Sequence, residues 1–212
     1  MEISPQEMAV REDFVKKAAS LFQRGYATGA AGNMSCLTPD GNLIATPTGS
    51  SLGSLDPLNL SKTDLEGNLL MGPKPTKEVK FHLALIKGRN DVKAVVHLHS
   101  TYCTALGCLK NLDPHNVIAP FTPYVVMRMG KVGLAPYYKP GSEMLCKAVA
   151  EMAPLHKAII LANHGPVVGG IDLNAAVNNI EELEATAKLY FILNNNSKEI
   201  RYLTDSEIEE LL

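Results

Sequence analysis

Two histidines one residue apart in an apolar stretch, Val95-Val96-His97-Leu98-His99, give this chain its clearest chemical signal. In a strand, residues i and i+2 project to the same face, so both imidazoles can reach one ion. Their α-carbons would stand roughly 6.6 Å apart at about 3.3 Å rise per residue, and ligands each about 2 Å from a metal can converge from that spacing. The opposite side, Ala94, Val96 and Leu98, is uniformly apolar and gives the strand its core face, leaving the histidines to face something polar. A His-x-His pair alone is equally the polar face of a half-buried strand. A third histidine follows an apolar run in Ala162-Asn163-His164-Gly165-Pro166, and Glu78 opens a predicted helix in Lys74-Pro75-Thr76-Lys77-Glu78. Three imidazoles and one carboxylate are a credible set for zinc or another divalent transition metal, with no thiolate needed.

The elements that must position these groups belong to a chain of 212 residues, 46% hydrophobic and 20% charged, which reads as one globular domain over 1–212 with a substantial core. A net charge of -2 without a basic stripe excludes the electrostatic signature of a nucleic-acid binder. The first fourteen residues are charged and lack the apolar segment of a leader, and no apolar run approaches the roughly 18 residues of a membrane span. The expectation is a soluble, cytoplasmic protein. Cys36, Cys103, Cys108 and Cys146 form no C-x-x-C pair and read as reduced; Cys103 and Cys108, in an apolar helical segment, read as packing residues.

Ser4-Pro5-Gln6-Glu7 is a capping box, and the mostly apolar period Met8, Arg11, Phe14, Val15, Ala18, Leu21, Phe22 predicts a helix ending near Gly25. Strands are predicted at 34–37 and 43–46 around the Pro39-Asp40-Gly41 turn, and Glu66-Gly67-Asn68 repeats that turn pattern. Helices at about 77–88 and 100–110 flank the histidine strand. A strand is expected at 124–128, a helix from Gly141-Ser142-Glu143 to before Pro154, and a buried strand at 158–162 returning through Val167-Val168. Asp172 should cap a long helix to about Leu193, followed by a strand-like 200–203 and a short helix capped by Thr204 with Glu207. The hairpins argue for a largely antiparallel sheet covered on both faces.

Two loops of small residues, Thr28 to Asn33 and Thr46 to Ser51, expose hydroxyls and backbone N–H groups that suit an anion, although neither has the spacing of a P-loop or a dinucleotide fingerprint and each also reads as an ordinary turn. Thr76-Lys77 adds a hydroxyl and a cation at a helix start. By local sequence Glu78 is an exposed first-turn carboxylate answering the helix dipole. His82, His115 and His156 have no spacing partner and read as surface or satisfied core residues.

In order and separation, Gly29 to Asn33, Thr46 to Gly49, Lys77-Glu78, His97-Leu98-His99 and Asn163-His164-Gly165 resemble the class II aldolase family, which includes ribulose-phosphate epimerases and the adducin head domain. The resemblance spans nearly the whole chain. It implies a three-layer α/β/α sandwich, usually a homotetramer with sites at subunit interfaces. It further implies zinc on His97, His99 and His164, with Glu78 a movable carboxylate that ligates the metal or transfers a proton. Phosphate would bind among Gly32, Asn33, Thr48, Gly49, Thr76 and Lys77, and Tyr124 lies near the position of a tyrosine implicated in proton transfer. Within the family, Arg24 to Gly29, Ala45 to Ser50, Pro120 to Tyr124 and Ala135 to Gly141 most resemble the 3-oxo-tetronate 4-phosphate decarboxylases. One departure is Thr76-Lys77, where sugar-phosphate aldolases often place two serines.

Such a substrate is a β-keto acid, and losing its carboxylate as carbon dioxide leaves an enediolate that yields dihydroxyacetone phosphate; a Lewis-acidic metal suits the charge this puts on oxygen. The resemblance leaves two alternatives: retro-aldol cleavage of a ketose phosphate, as in fuculose-phosphate aldolases, or a non-catalytic adducin-like binding module.

Overall fold

The computed structural model describes residues 3–211. Met1, Glu2 and Leu212, the ends of the expected 1–212 unit, lie outside the described residues. The chain begins with helix α1 (Pro5–Gln23), whose N-cap Ser4 accepts from the Glu7 N–H. Two hairpins follow, β1 (Asn33–Leu37) with β2 (Leu43–Ala45), then β3 (Ser61–Thr63) with β4 (Leu69–Met71). Helix α2 (Val79–Gly88) leads into the histidine strand β5 (Ala94–His97) and helix α3 (Thr101–Gly107). After α4 (Pro123–Met129) come β6 (Val132–Ala135), α5 (Glu143–Met152), the pair β7 (Ala158–Leu161) and β8 (Gly165–Gly170), the long α6 (Leu173–Asn194) and the short α7 (Asp205–Glu209).

The strands form one sheet in the order β4-β3-β2-β1-β5-β8-β7-β6, antiparallel at every pairing except β6 with β7. β5 sits near the centre, bonded to β1 on one side and β8 on the other, and is buried on both faces. Side chains alternate along it. Ala94 and Val96 join the layer of α1, α3, α4 and α6, with Phe14, Leu106, Val125 and Leu183, whereas Val95 joins that of α2 and α5, with Phe81, Leu85 and Val149. The result is the expected three-layer α/β/α sandwich. His97 therefore faces the α2 side, stacked edge-on against Phe81 at 5.4 Å between ring centres.

Two expected strands take other forms. Residues 124–128 lie in α4: Pro123 occupies its first turn, and Val125, Val126 and Met129 recur at helical spacing toward the core. The adjacent Val125-Val126 pair reads locally as strand, but tertiary burial decides in favour of the helix. Residues 200–203 form no ladder; Leu203 donates to the Pro120 carbonyl at 2.8 Å, and Ile208 and Leu211 pack the tail against the core. Of the two cysteines read as packing residues, Cys103 is buried and Cys108, just past the end of α3, is exposed.

Arg11 was part of an apolar period, and the core accommodates it by pairing. Its Nε donates to Glu7 Oε1 at 2.8 Å, and Lys62 from β3 donates to Glu7 Oε2 at 2.6 Å, all three side chains being almost fully buried. Glu7 thus neutralises the buried Arg11 guanidinium and shares the Lys62 ammonium with Asp40, which accepts from Nζ at 2.6 Å. Removing one member of a buried ionic group leaves the others uncompensated, a loss of roughly 3–5 kcal/mol. Glu7→Ala is therefore expected to lower unfolding stability by about that amount in urea titration, with a loss below about 1 kcal/mol marking the cluster as solvated.

Candidate metal centre

The ends of β5 and β7 open onto the α2 side of the sheet, and three imidazoles meet there. His97 is the last residue of β5 and His99 follows two positions later. His164 is presented by the turn between β7 and β8, where Asn163 takes a left-handed conformation at φ 54°. Position 165 must be glycine, because a Cβ there would stand 2.2 Å from the Leu98 carbonyl oxygen. The three ring centres lie 4.8 to 5.0 Å apart, and one nitrogen from each ring falls within 4.8 Å of the others.

Hydrogen bonding aims these nitrogens. His97 Nδ1–H donates to the Pro166 carbonyl at 2.8 Å, which leaves Nε2 with its lone pair pointing into the cluster, 3.1 Å from His99 Nε2. Burial, the first cause in each case, holds all three histidines below the usual imidazole range, most strongly His97. Mutual repulsion between the would-be cations adds to this at His97 and His99. All three are thus neutral near pH 7, the form that ligates a metal.

Glu78 completes the group. It stands at the N-cap of α2, yet its side chain makes no capping bond, and the residue is only 8% exposed. The carboxylate is not the exposed first-turn group that local sequence suggests. It turns inward, with Oε2 3.4 Å from His97 Nε2 and Oε1 3.5 Å from His164 Nε2. Burial raises its pKa, against which an Asn33 hydrogen bond acts in the opposite direction. Glu78 Oε1 and His164 Nδ1 are buried with no hydrogen-bond partner. Three neutral nitrogens and an orphaned carboxylate oxygen are a donor set that fits a divalent cation.

All six residues expected to bind phosphate line one cavity of about 350 Å³ with Glu78, His99 and His164. Gly32, Asn33, Thr48 and Gly49 form one part of its wall, Thr76 and Lys77 another, and Pro140-Gly141 closes against them. Gly32 is held tightly: at φ 85°, a Cβ there would meet Leu98 Cδ2 at 3.0 Å and the His97 carbonyl at 3.1 Å. Asn33 differs from expectation in that its amide is already engaged by Glu78 and His82. Tyr124 is not among the lining residues; it is 58% exposed on α4. A larger cavity of about 510 Å³, lined by Arg89, His115, Lys131, His156 and Lys157, brings no comparable ligand set together.

One group carries no sequence signal, and one histidine expected at the surface or satisfied in the core proves to be the latter. Glu184 of α6 accepts from Ser100 Oγ at 2.6 Å and from the Tyr102 and Cys103 N–H groups at 2.8 and 2.9 Å, clasping the start of α3 immediately after His99. Its i+4 spacing to Ile180 and Lys188 shows only a helix face, so no local signal marks it. His82, one of the unassigned histidines, is fully buried on α2, bonded to Ser35 and Asn33.

This fold and donor set define a class of metal-site α/β/α proteins, and the chain belongs to the Class II Aldolase and Adducin N-terminal domain family, whose profile matches residues 12–191. A 3-oxo-tetronate 4-phosphate decarboxylase from Escherichia coli is 60% identical over 205 residues, covering 97% of this chain and 96% of that protein. The crystal structure of YgbL from Escherichia coli, also 60% identical, superposes with a TM-score of 0.93 over 97% of this chain and 98% of its own. An L-fuculose phosphate aldolase from Methanococcus maripaludis is 39% identical, covering 86% of this chain and 97% of that protein.

Burial pulls the His82 pKa from 6.5 down to about 3, so between those values the unfolded chain binds a proton that the folded chain does not. Stability must then fall as pH drops through this window, by about 1.4 kcal/mol per pH unit from this one residue. In metal-free protein, stability from urea titration between pH 7 and 4 is expected to fall less steeply in His82→Phe, by about 1.4 kcal/mol per pH unit, the remaining slope being that of His97, His99 and His164; identical slopes would contradict a neutral buried imidazole.

Proposed function

We propose that this chain is a zinc-dependent carboxy-lyase that converts a 3-oxo-tetronate 4-phosphate to dihydroxyacetone phosphate and carbon dioxide. In this reading residues 1–212 form one domain, and the enzyme works as a cytoplasmic homotetramer. Among the described residues no helix is long and apolar enough to cross a membrane. The observation that carries the reading is the meeting of buried His97 with His99, His164 and Glu78, the last three lining a cavity whose walls also include Thr48, Gly49, Thr76 and Lys77. Relatives at 53–60% identity over nearly the full length bear the decarboxylase name.

His97, His99 and His164 would hold the ion, with Glu78 as a fourth, exchangeable ligand. When bound, the ion acts as a Lewis acid that draws negative charge onto substrate oxygens. The Thr48 and Thr76 hydroxyls, the Gly49 N–H and the Lys77 ammonium would fix the anionic ends of the substrate, so that the C1–C2 bond is presented to the metal side. Cleavage sends its electron pair into the C2–C3 enediolate and releases C1 as carbon dioxide. C2 must then gain one proton. Glu78, once released as a ligand and protonated from solvent, would supply it from Oε1, which is unpartnered and whose proton affinity burial raises. Tyr124, remote from the pocket of its own chain, would act only on the site of a neighbouring subunit.

The aldolase reading draws on the Methanococcus maripaludis relatives and needs the same donors. Purified protein given a 3-oxo-tetronate 4-phosphate is expected to release carbon dioxide and dihydroxyacetone phosphate in equal amounts; aldehyde from a ketose phosphate without carbon dioxide would overturn the assignment. Glu78→Gln is expected to reduce kcat by about 100-fold or more while the fold persists. Tyr124→Phe should lower kcat with metal content unchanged, and a wild-type kcat would remove Tyr124 from the reaction.

A further inference from the structure

His82 lies outside the ligand set, yet both of its ring nitrogens are engaged at the floor of the site. Nδ1 is 2.8 Å from Ser35 Oγ and Nε2 is 2.6 Å from Asn33 Oδ1. Asn33 in turn gives an Nδ2–H to Glu78 Oε2 at 2.8 Å. The donor inventory gives this run a single direction. An amide nitrogen only donates, so with Nδ2 on the carboxylate, Asn33 presents Oδ1 to the ring. His82 Nε2 must then carry the proton, Nδ1 is left as acceptor, and the Ser35 hydroxyl donates to it.

The sheet register builds this arrangement. Asn33 pairs with His97 and Ser35 with Val95 across β1 and β5, so Asn33, Ser35 and His97 share the face that α2 covers. His82 reaches down from α2 four residues after Glu78, one helical turn away, and stacks on Phe81 at 5.0 Å. One carboxylate oxygen, Oε2, is thereby held, while Oε1 is left without a partner.

We propose that His82, its ring anchored at Nδ1 by Ser35, is a positioning residue: its Nε2–H fixes the amide of Asn33, and through it the Glu78 carboxylate, so that Oε1 faces the reacting carbon. The role in turnover rests on the carboxy-lyase reading, whereas the hydrogen-bond run belongs to the protein with or without substrate. Phenylalanine at position 82 would keep the ring volume and the stacking but lack the N–H, which frees the Asn33 amide to turn over. Outer partners of this kind are worth about 10–100-fold in activity or metal affinity.

Nitrogen-15 spectra of histidine-labelled, metal-free protein should show His82 protonated at Nε2. His82→Phe should lower kcat roughly 10–100-fold with KM nearly unchanged, and His82→Gln, which returns an N–H toward Asn33, should recover part of that loss. Ser35→Ala should leave the proton on Nε2 but free the ring to tilt at its Nδ1 end, and lower kcat in the same direction by a smaller factor. A folded His82→Phe with wild-type kcat overturns the proposal, as does a wild-type His82 protonated at Nδ1. If His82→Phe does not fold, Ser35→Ala decides, and an unchanged kcat overturns it. Wild-type protein that is inactive on the oxo acid but carries the Nε2 proton supports the hydrogen-bond run and overturns only the assigned reaction.

Discussion

Lone pairs crowded into a half-buried concavity repel one another, and here three imidazoles and a carboxylate are pressed to within a few ångströms where water cannot fully screen them. The rest of the fold holds that arrangement against its own repulsion. The Pro166 carbonyl pins His97, and Gly165 lets the β7–β8 turn close on Leu98. Glu184 anchors the chain just beyond His99. A divalent cation converts the repulsion into attraction, which is why such a cluster is retained at a cost in intrinsic stability.

The antiparallel sheet explains how distant segments come to share the site. β5 lies between β1 and β8, so a single register places Asn33 beside His97 on one flank and Val167, just after the His164 turn, on the other. Because the site sits where strands end, its walls are loops, and the hydroxyl-bearing stretches around Thr48 and Thr76 are free to face an anion. Thr76-Lys77 and Glu78 belong to one connection, so that stretch borders both the histidine cluster and the hydroxyl-lined part of the cavity.

Much of the site was legible because its signals are local or geometric. An i, i+2 histidine pair marks a shared face in extended backbone, even though the strand itself ends at His97 and His99 lies two residues beyond it, and Asn163-His164-Gly165 is marked by its turn chemistry. Hairpins at Pro39-Asp40-Gly41 and Glu66-Gly67-Asn68 were readable for the same reason. What escaped depends on pairing across the chain. His82 meets partners 47 and 49 residues away, brought under it only by the β1–β5 register, and the buried position of Glu78 depends on the same event. Likewise α4 reads as a strand until the apolar layer that absorbs Val125, Val126 and Met129 is known. Lys62 joins Glu7 across 55 residues, a pairing that the helical period of α1 does not announce.

The central claim is that one ion is held by nitrogen from both backbone stretches together with a carboxylate oxygen. X-ray absorption at the zinc edge on protein loaded with one equivalent of zinc reads that shell directly. Three imidazole nitrogens and one oxygen at about 2.0–2.2 Å are the expected result. A shell made of water oxygen alone, or one that is the same in His97→Ala and His164→Ala as in the wild type, would contradict it.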